Sequence, residues 1–183
     1  MRDDEKYKKD VEYIIRRLAP NIEQKEELIE EAKRAYGMYH DNTSFRSVAQ
    51  YPKEGLAAGA IVVASRSKGL PVMLKDLHPD TGDHHIGKFP KLIQKETDIK
   101  AIQVPVETFV DHFADLLDVS DDVRERAKQL ADDYPGYRKS QTVAAGAIYA
   151  ASLLEGEEIL QKRVASATGI AEISIRDCYK EMM

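Results

Sequence analysis

AAGAI stands at Ala57–Ile61 and again at Ala144–Ile148. Extending the two copies without gaps sets GLAAGAIVVASRSKG, 55–69, against TVAAGAIYAASLLEG, 142–156, with eight of fifteen positions identical. The offset of 87 residues is too long for a solenoid repeat and right for a duplicated small domain in a chain of 183. Both copies are small and apolar on nearly every side, which suits a helix enclosed by neighbours. Glycine in a helix costs about 1 kcal/mol relative to alanine, so Gly59 and Gly146 belong where a packed partner leaves no room for a methyl group. The stretch lacks the spaced glycines of a phosphate loop and is too apolar to hold a ligand.

Two segments of helical periodicity precede each copy. Val11, Ile14, Ile15 and Leu18 form one stripe, and Leu28, Ala32, Ala35, Tyr36 and Tyr39 the next. In the second half Phe109, Phe113, Leu116 and Leu117 are followed by Val123, Ala127, Leu130, Ala131 and Tyr134, with Ser120-Asp121-Asp122 as a helix start. Pro20, Pro52, Pro105 and Pro135 fall between stripes, where proline costs a helix least, and no alternating strand pattern occurs. The expectation is an all-α protein of two tandem five-helix domains, 1–99 and 105–183, joined by a hinge at 100–104.

Composition narrows the functional classes. With 43% hydrophobic and 32% charged residues the chain can fill a core and cover it. No apolar run reaches the roughly 20 residues that cross a bilayer, and MRDDEKYKKD is unlike a secretory leader, so no membrane association is expected. A single cysteine, Cys178, excludes an internal disulfide framework and is read as a buried thiol. No arrangement of serine, cysteine or carboxylate suggests catalysis, and His40 and His112 are read as surface or boundary residues. LHPDTGDHHIGK, 77–88, gathers His78, Asp80, Asp83, His84 and His85. These are ordinary metal-ligand types, but adjacent histidines rarely face one ion, so neither a metal nor another cofactor is expected.

LQKRVASATGIAEISIRDCYK, 160–180, reads as a short helix, a turn at Gly169 and a second helix from about Glu172. That is a helix-turn-helix pattern, whose second helix is expected to bury Ile173 and Tyr179 and to expose Ser174, Arg176 and Lys180.

From Thr142 to Met182 the chain resembles the end of the second cyclin-like repeat of archaeal transcription factor B and eukaryotic transcription factor IIB. KEGLAAGAIVVASRSKGLPVMLKDL, 53–77, followed by HIGKF, 85–89, resembles the matching part of the first repeat. The resemblance implies a transcription initiation factor that binds the TATA-binding protein on bent promoter DNA, with the helix-turn-helix in the major groove beside the TATA element. It implies Ser174 and Arg176 near the bases, Lys180 nearer the backbone, and phosphate contacts from Arg138 and Lys139. Arg46 and Lys53 lie in the corresponding region of the first repeat, whose connector is longer. The implied compartment is the cytoplasm of an archaeal cell, or the nucleus of a eukaryotic one.

Three departures bear on this reading. The family's zinc ribbon and the segment behind it are absent from these residues, so RNA polymerase is a partner only if such a ribbon precedes them; the chain is a core fragment or a short paralogue. Asp177 and Cys178 stand where the family commonly carries asparagine and arginine, which is read as a weakened DNA contact. Residues 1–104 hold 18 Lys+Arg against 17 Asp+Glu, whereas 105–183 hold 9 against 15, so the half with the proposed reading helix has a net charge of −6. Pro90, a few residues into the first-repeat counterpart of that helix, is expected to kink it or delay its start. The alternative is a cyclin-like protein-interaction module, or a regulatory paralogue, that has lost DNA reading and polymerase recruitment.

Overall fold

A computed structural model describes residues 9, 12–18, 25–77, 79–82 and 84–183, and they divide between Gln103 and Val104 into two compact units. Val11, Pro20, His78 and Asp83 lie outside the described residues. The first unit holds α1 (12–18), α2 (Lys25–Asn42), α3 (Phe45–Ala49), α4 (Lys53–Ser67) and α5 (Phe89–Lys95), with 3-10 turns at Leu74–Leu77 and Ile86–Lys88. The second holds α6 (Val106–Leu117), α7 (Asp121–Asp132), α8 (Ser140–Leu154), α9 (Gln161–Thr168) and α10 (Glu172–Met182). No strand occurs among the described residues, so the protein is all-α.

The two AAGAI segments lie in α4 and α8, and these helices have the same length and the same 87-residue offset at both ends. Each starts after an extended residue, Pro52 or Lys139, and each is followed by a glycine with positive φ, Gly69 at 70° and Gly156 at 74°. A Cβ would be strained in that left-handed conformation, which explains why the glycines recur with the helix. Every residue of α4 from Gly55 to Ser65 is buried, as are Val143–Ile148 and Ala150–Ser152 of α8. Ser65 and Ser152, the matched hydroxyls, each donate within their own helix at 2.9 Å, to Val62 and Tyr149 carbonyls, so their burial leaves no unpaired group.

The glycines do what their helical cost requires. A Cβ on Gly59 would lie 2.7 Å from the carbonyl carbon of Phe89, and one on Gly146 would lie 2.9 Å from both Cβ and Sγ of Cys178. Phe89 and Cys178 are themselves matched in HIGKFPK, 85–91, and SIRDCYK, 174–180. The repeat is therefore a packing rule, in which a central helix receives its closing helix at a bare backbone position.

Around α4, the first-unit core takes Ile15 and Leu18 from α1, the α2 stripe Leu28, Ala32, Ala35, Tyr36 and Tyr39, and Phe89 and Ile93 from α5. Around α8, Phe109, Val110, Phe113 and Leu117 come from α6 and Val123, Ala127 and Ala131 from α7. Ser120 caps α7 by accepting the Val123 N–H at 3.3 Å, with Asp121 and Asp122 at the positive end of the helix. Leu116 departs from the expected stripe. It is 47% exposed, because the buried face of α6 runs through Phe109, Phe113 and Leu117 at four-residue spacing, and Leu116 falls to one side.

The units differ after their central helices. Shifted by 87, α9 corresponds to 74–81, where the described residues hold the 3-10 turn Leu74–Leu77 in place of an α-helix, and the first unit has the short α3 before its central helix. α5 starts late, at Phe89, with Pro90 in its first turn where the missing N–H costs nothing.

Candidate nucleic-acid interface

The end of the second unit is a rigidly fixed pair of short helices. α9 stops at Gly169, which has φ of 68° and donates to Ala165 O at 2.9 Å. Thr168 is fully buried, and its hydroxyl donates to Val164 O at 2.8 Å while accepting the Ile170 N–H at 3.3 Å. Buried Ile170 anchors the turn, and the Gln161 amide donates to Glu172 O, tying the start of α9 to the start of α10. Arg163 is spent on architecture. Its guanidinium donates to Leu117 O at 2.8 Å, satisfying a carbonyl at the last turn of α6.

α10 lies on α8 through Ile175 and Cys178, both fully buried, and Tyr179 meets Tyr149 edge-on at 5.1 Å between ring centroids. This i, i+3, i+4 stripe differs from the expected one. Ile173 points away from the core with 58% exposure, and Ile175 takes the inward place. Cys178 is the buried thiol expected of a lone cysteine, and because its side chain faces Gly146 the position does not look outward to a duplex, so the weakened contact expected there does not arise from it. Burial pushes its thiol pKa up, as for an inert core cysteine.

The outward face of α10 presents Arg176 and Lys180 one turn apart, with half-buried Ser174 at its edge. Arg176 Nε lies 3.6 Å from Asp177 Oδ1, and both side chains are about half exposed at 49% and 47%. A contact so long and so well solvated contributes little and leaves the guanidinium available.

The basic stretch before α8 behaves differently. Lys139 is exposed at the N-cap position and makes no side-chain cap. Arg138 reaches across to α10, where its Nη2 and Nε donate to the two carboxylate oxygens of Glu181, with Nε 3.1 Å from Oε2. The Tyr134 hydroxyl donates to the same carboxylate and accepts from Arg138 Nε at 3.1 Å. The bonds from Arg138 and then Tyr134 hold the Glu181 carboxyl at about 2, so it is ionised at neutral pH. Desolvation, followed by the bond to Glu181, pushes Tyr134 up to about 12. Glu181 escapes sequence reading because its partner is 43 residues away and no local spacing marks the pair.

In the first unit, Arg46 is exposed in the last turn of α3 and Lys53 is the exposed first residue of α4. They belong to the other compact unit from Arg138, Lys139 and the α10 residues. In the 3-10 turn before α5, Lys88 is turned toward aromatic rings, whereas Lys91 and Lys95 of α5 itself are exposed. Lys88 Nζ sits 4.4 Å from the Tyr51 ring centroid and 5.5 Å from that of Phe89, and bonds His84 Nδ1 at 2.8 Å. In the histidine-rich loop, His85 Nδ1 accepts the Gly87 N–H at 3.2 Å and Asp80 Oδ1 accepts that of Gly82 at 3.0 Å. These ligand-type atoms serve the loop's own turns, and among the described residues no cluster could hold a metal ion. Among them, too, no helix is long and apolar enough to cross a membrane.

A family model described as the transcription factor TFIIB repeat matches residues 99–183, the segment that carries α6 to α10. Residues 99–183 form a TFIIB repeat. Curated relatives extend the similarity further along the chain. A transcription initiation factor IIB 1 of Thermoplasma volcanium is 32% identical over 136 residues, covering 70% of this chain and 44% of the relative. Transcription initiation factor IIB of Archaeoglobus fulgidus is 29% identical over 136 residues, covering 70% and 42%. That of Methanosphaerula palustris is 30% identical over 152 residues, covering 79% and 46%. The chain thus carries a cyclin-like TFIIB-type core of archaeal kind and spans less than half the length of these relatives. The proteins it resembles are transcription factors by name, not enzymes. Within its TFIIB repeat, α10 owes its placement to Gly146 and its exposed cations to the register that Ile175 and Cys178 set.

Proposed function

We propose that this chain acts in transcription initiation, joining a TATA-binding protein already seated on promoter DNA and laying α10 in the major groove beside the TATA element. The observation that carries the reading is the division of labour on α10. One side is fixed to α8 by Ile175 and Cys178, and the other offers Arg176 and Lys180 from a rigid helix after a tight turn. Arginine can bond a guanine edge through two donors, and lysine suits a phosphate. Ser174, at the rim of that face, supplies a hydroxyl able to bond any base edge or phosphate. Lys139 in the second unit, and Arg46 and Lys53 in the first, are proposed as further phosphate contacts.

Binding to DNA alone is weak in this account, because residues 105–183 carry 9 basic against 15 acidic side chains. Joint contact with the DNA-bound protein supplies the rest. Polymerase recruitment in the family's manner would require a zinc ribbon ahead of this segment.

One observation favours the rival reading of a cyclin-like interaction module without DNA reading: Arg138, a proposed phosphate contact, is already paired with Glu181. A gel-shift assay separates the two. The chain is expected to supershift a TATA-binding-protein complex on TATA-containing duplex at low salt, with log K falling by about 0.9 per log unit of salt for each phosphate contacted. Binding to the TATA-binding protein without DNA, and no supershift at any salt, would establish the interaction module instead.

A further inference from the structure

The Arg138–Glu181 pair sits at the solvent edge of the proposed interface, with the two side chains 32% and 44% exposed. Glu181 directly follows Lys180 on α10, and Arg138 directly precedes Lys139. The carboxylate takes two donors of the guanidinium, Nε and Nη2, in the forked geometry that a phosphate would otherwise use. Tyr134 closes the arrangement by donating to Glu181 and accepting from Arg138.

We infer that Glu181 is an affinity-setting residue, whose carboxylate masks Arg138 from DNA phosphate and places a negative charge beside Lys180. The inference rests on the proposed seating of α10 on DNA. Its physical basis is charge balance. A neutralised arginine releases no counterion when a phosphate approaches, so the face engages the duplex with one cation fewer than its sequence offers. A purely structural strut between the start of α8 and the end of α10 would act in the opposite sense, since breaking it would loosen α10 and weaken binding.

Glu181→Gln in the full chain distinguishes these, because glutamine keeps the shape and a carbonyl acceptor while removing the charge. Fluorescence anisotropy on TATA duplex loaded with the TATA-binding protein should show about 5–10-fold tighter binding near 0.1 M salt, with a log–log salt slope steeper by about 1. Tyr134→Phe leaves the ion pair in place and should bind as the unaltered chain does. Unchanged affinity and slope in Glu181→Gln, or weaker binding with a lowered unfolding midpoint, would overturn the masking role. If in the same assay Arg176→Ala weakens binding while Glu181→Gln does not tighten it, masking alone fails. If Arg176→Ala also has no effect, the DNA-binding reading fails with it.

Discussion

Gly59→Ala is expected to destabilise the first unit by about 3 kcal/mol, at the upper end of the cost of overpacking a closed core. The added methyl would lie 2.7 Å from the carbonyl carbon and 2.9 Å from the carbonyl oxygen of Phe89. These are backbone atoms at the start of α5, held in place by the fully buried Phe89 ring and followed by Pro90, so they cannot swing aside as a side-chain tip would. Alanine's better helix propensity returns about 1 kcal/mol, which is too little to change the sign. Gly146→Ala meets Cβ and Sγ of Cys178, each at 2.9 Å, with the backbone nitrogen of Tyr179 at an ordinary 3.4 Å, and part of the close contact is a terminal sulfur. Its cost should be smaller, about 1–2 kcal/mol. Amide hydrogen exchange reads each unit separately, so Gly59→Ala should lower protection in α2, α4 and α5 while α6 to α10 stay as they were. Unchanged protection of α4 and α5 would show that this contact does not close the first unit.

Arg176→Ala should weaken assembly on promoter DNA about 10–100-fold, the range for losing one two-donor contact to a base. The side chain is half exposed on the outward face of α10, and its ion pair at 3.6 Å to Asp177 is solvated. Folding stability should therefore stay within about 0.5 kcal/mol of the unaltered chain, which separates loss of binding from loss of structure. Lys180→Ala should cost less and act uniformly across promoter sequences, reducing the salt slope by about 1 as a phosphate contact does. Equal affinity of Arg176→Ala and the unaltered chain for the TATA-binding-protein complex would remove the proposed reading residue.

Much of the fold is written in short-range patterns. The α2 stripe, the Ser120 cap and the late start of α5, at Phe89 with Pro90 in its first turn, all follow from spacing and backbone chemistry, and all stand in the structure. The paired glycines announce close contacts, but a sequence does not say with what. Phe89 and Cys178 became their partners only through the packing of α5 and α10. The register of α10 is less legible. Cys178 is buried, as a lone thiol is expected to be, but the core place expected of Ile173 belongs to Ile175, three residues before that thiol, and Ile173 is exposed. Arg138 shows the other limit. A basic side chain beside a helix start looks available for phosphate until its partner is seen, and that partner comes from the far end of the unit.

The central claim is that α10 faces DNA through Arg176. A photo-crosslinking amino acid placed at position 176 tests it directly, with the chain at a concentration that offsets the lost arginine and saturates the TATA-binding protein on promoter duplex. Crosslinks are expected to bases immediately beside the TATA element, lost when α10 is displaced by high salt. A complex that assembles normally but crosslinks at position 176 only to protein, or to nothing, would contradict it.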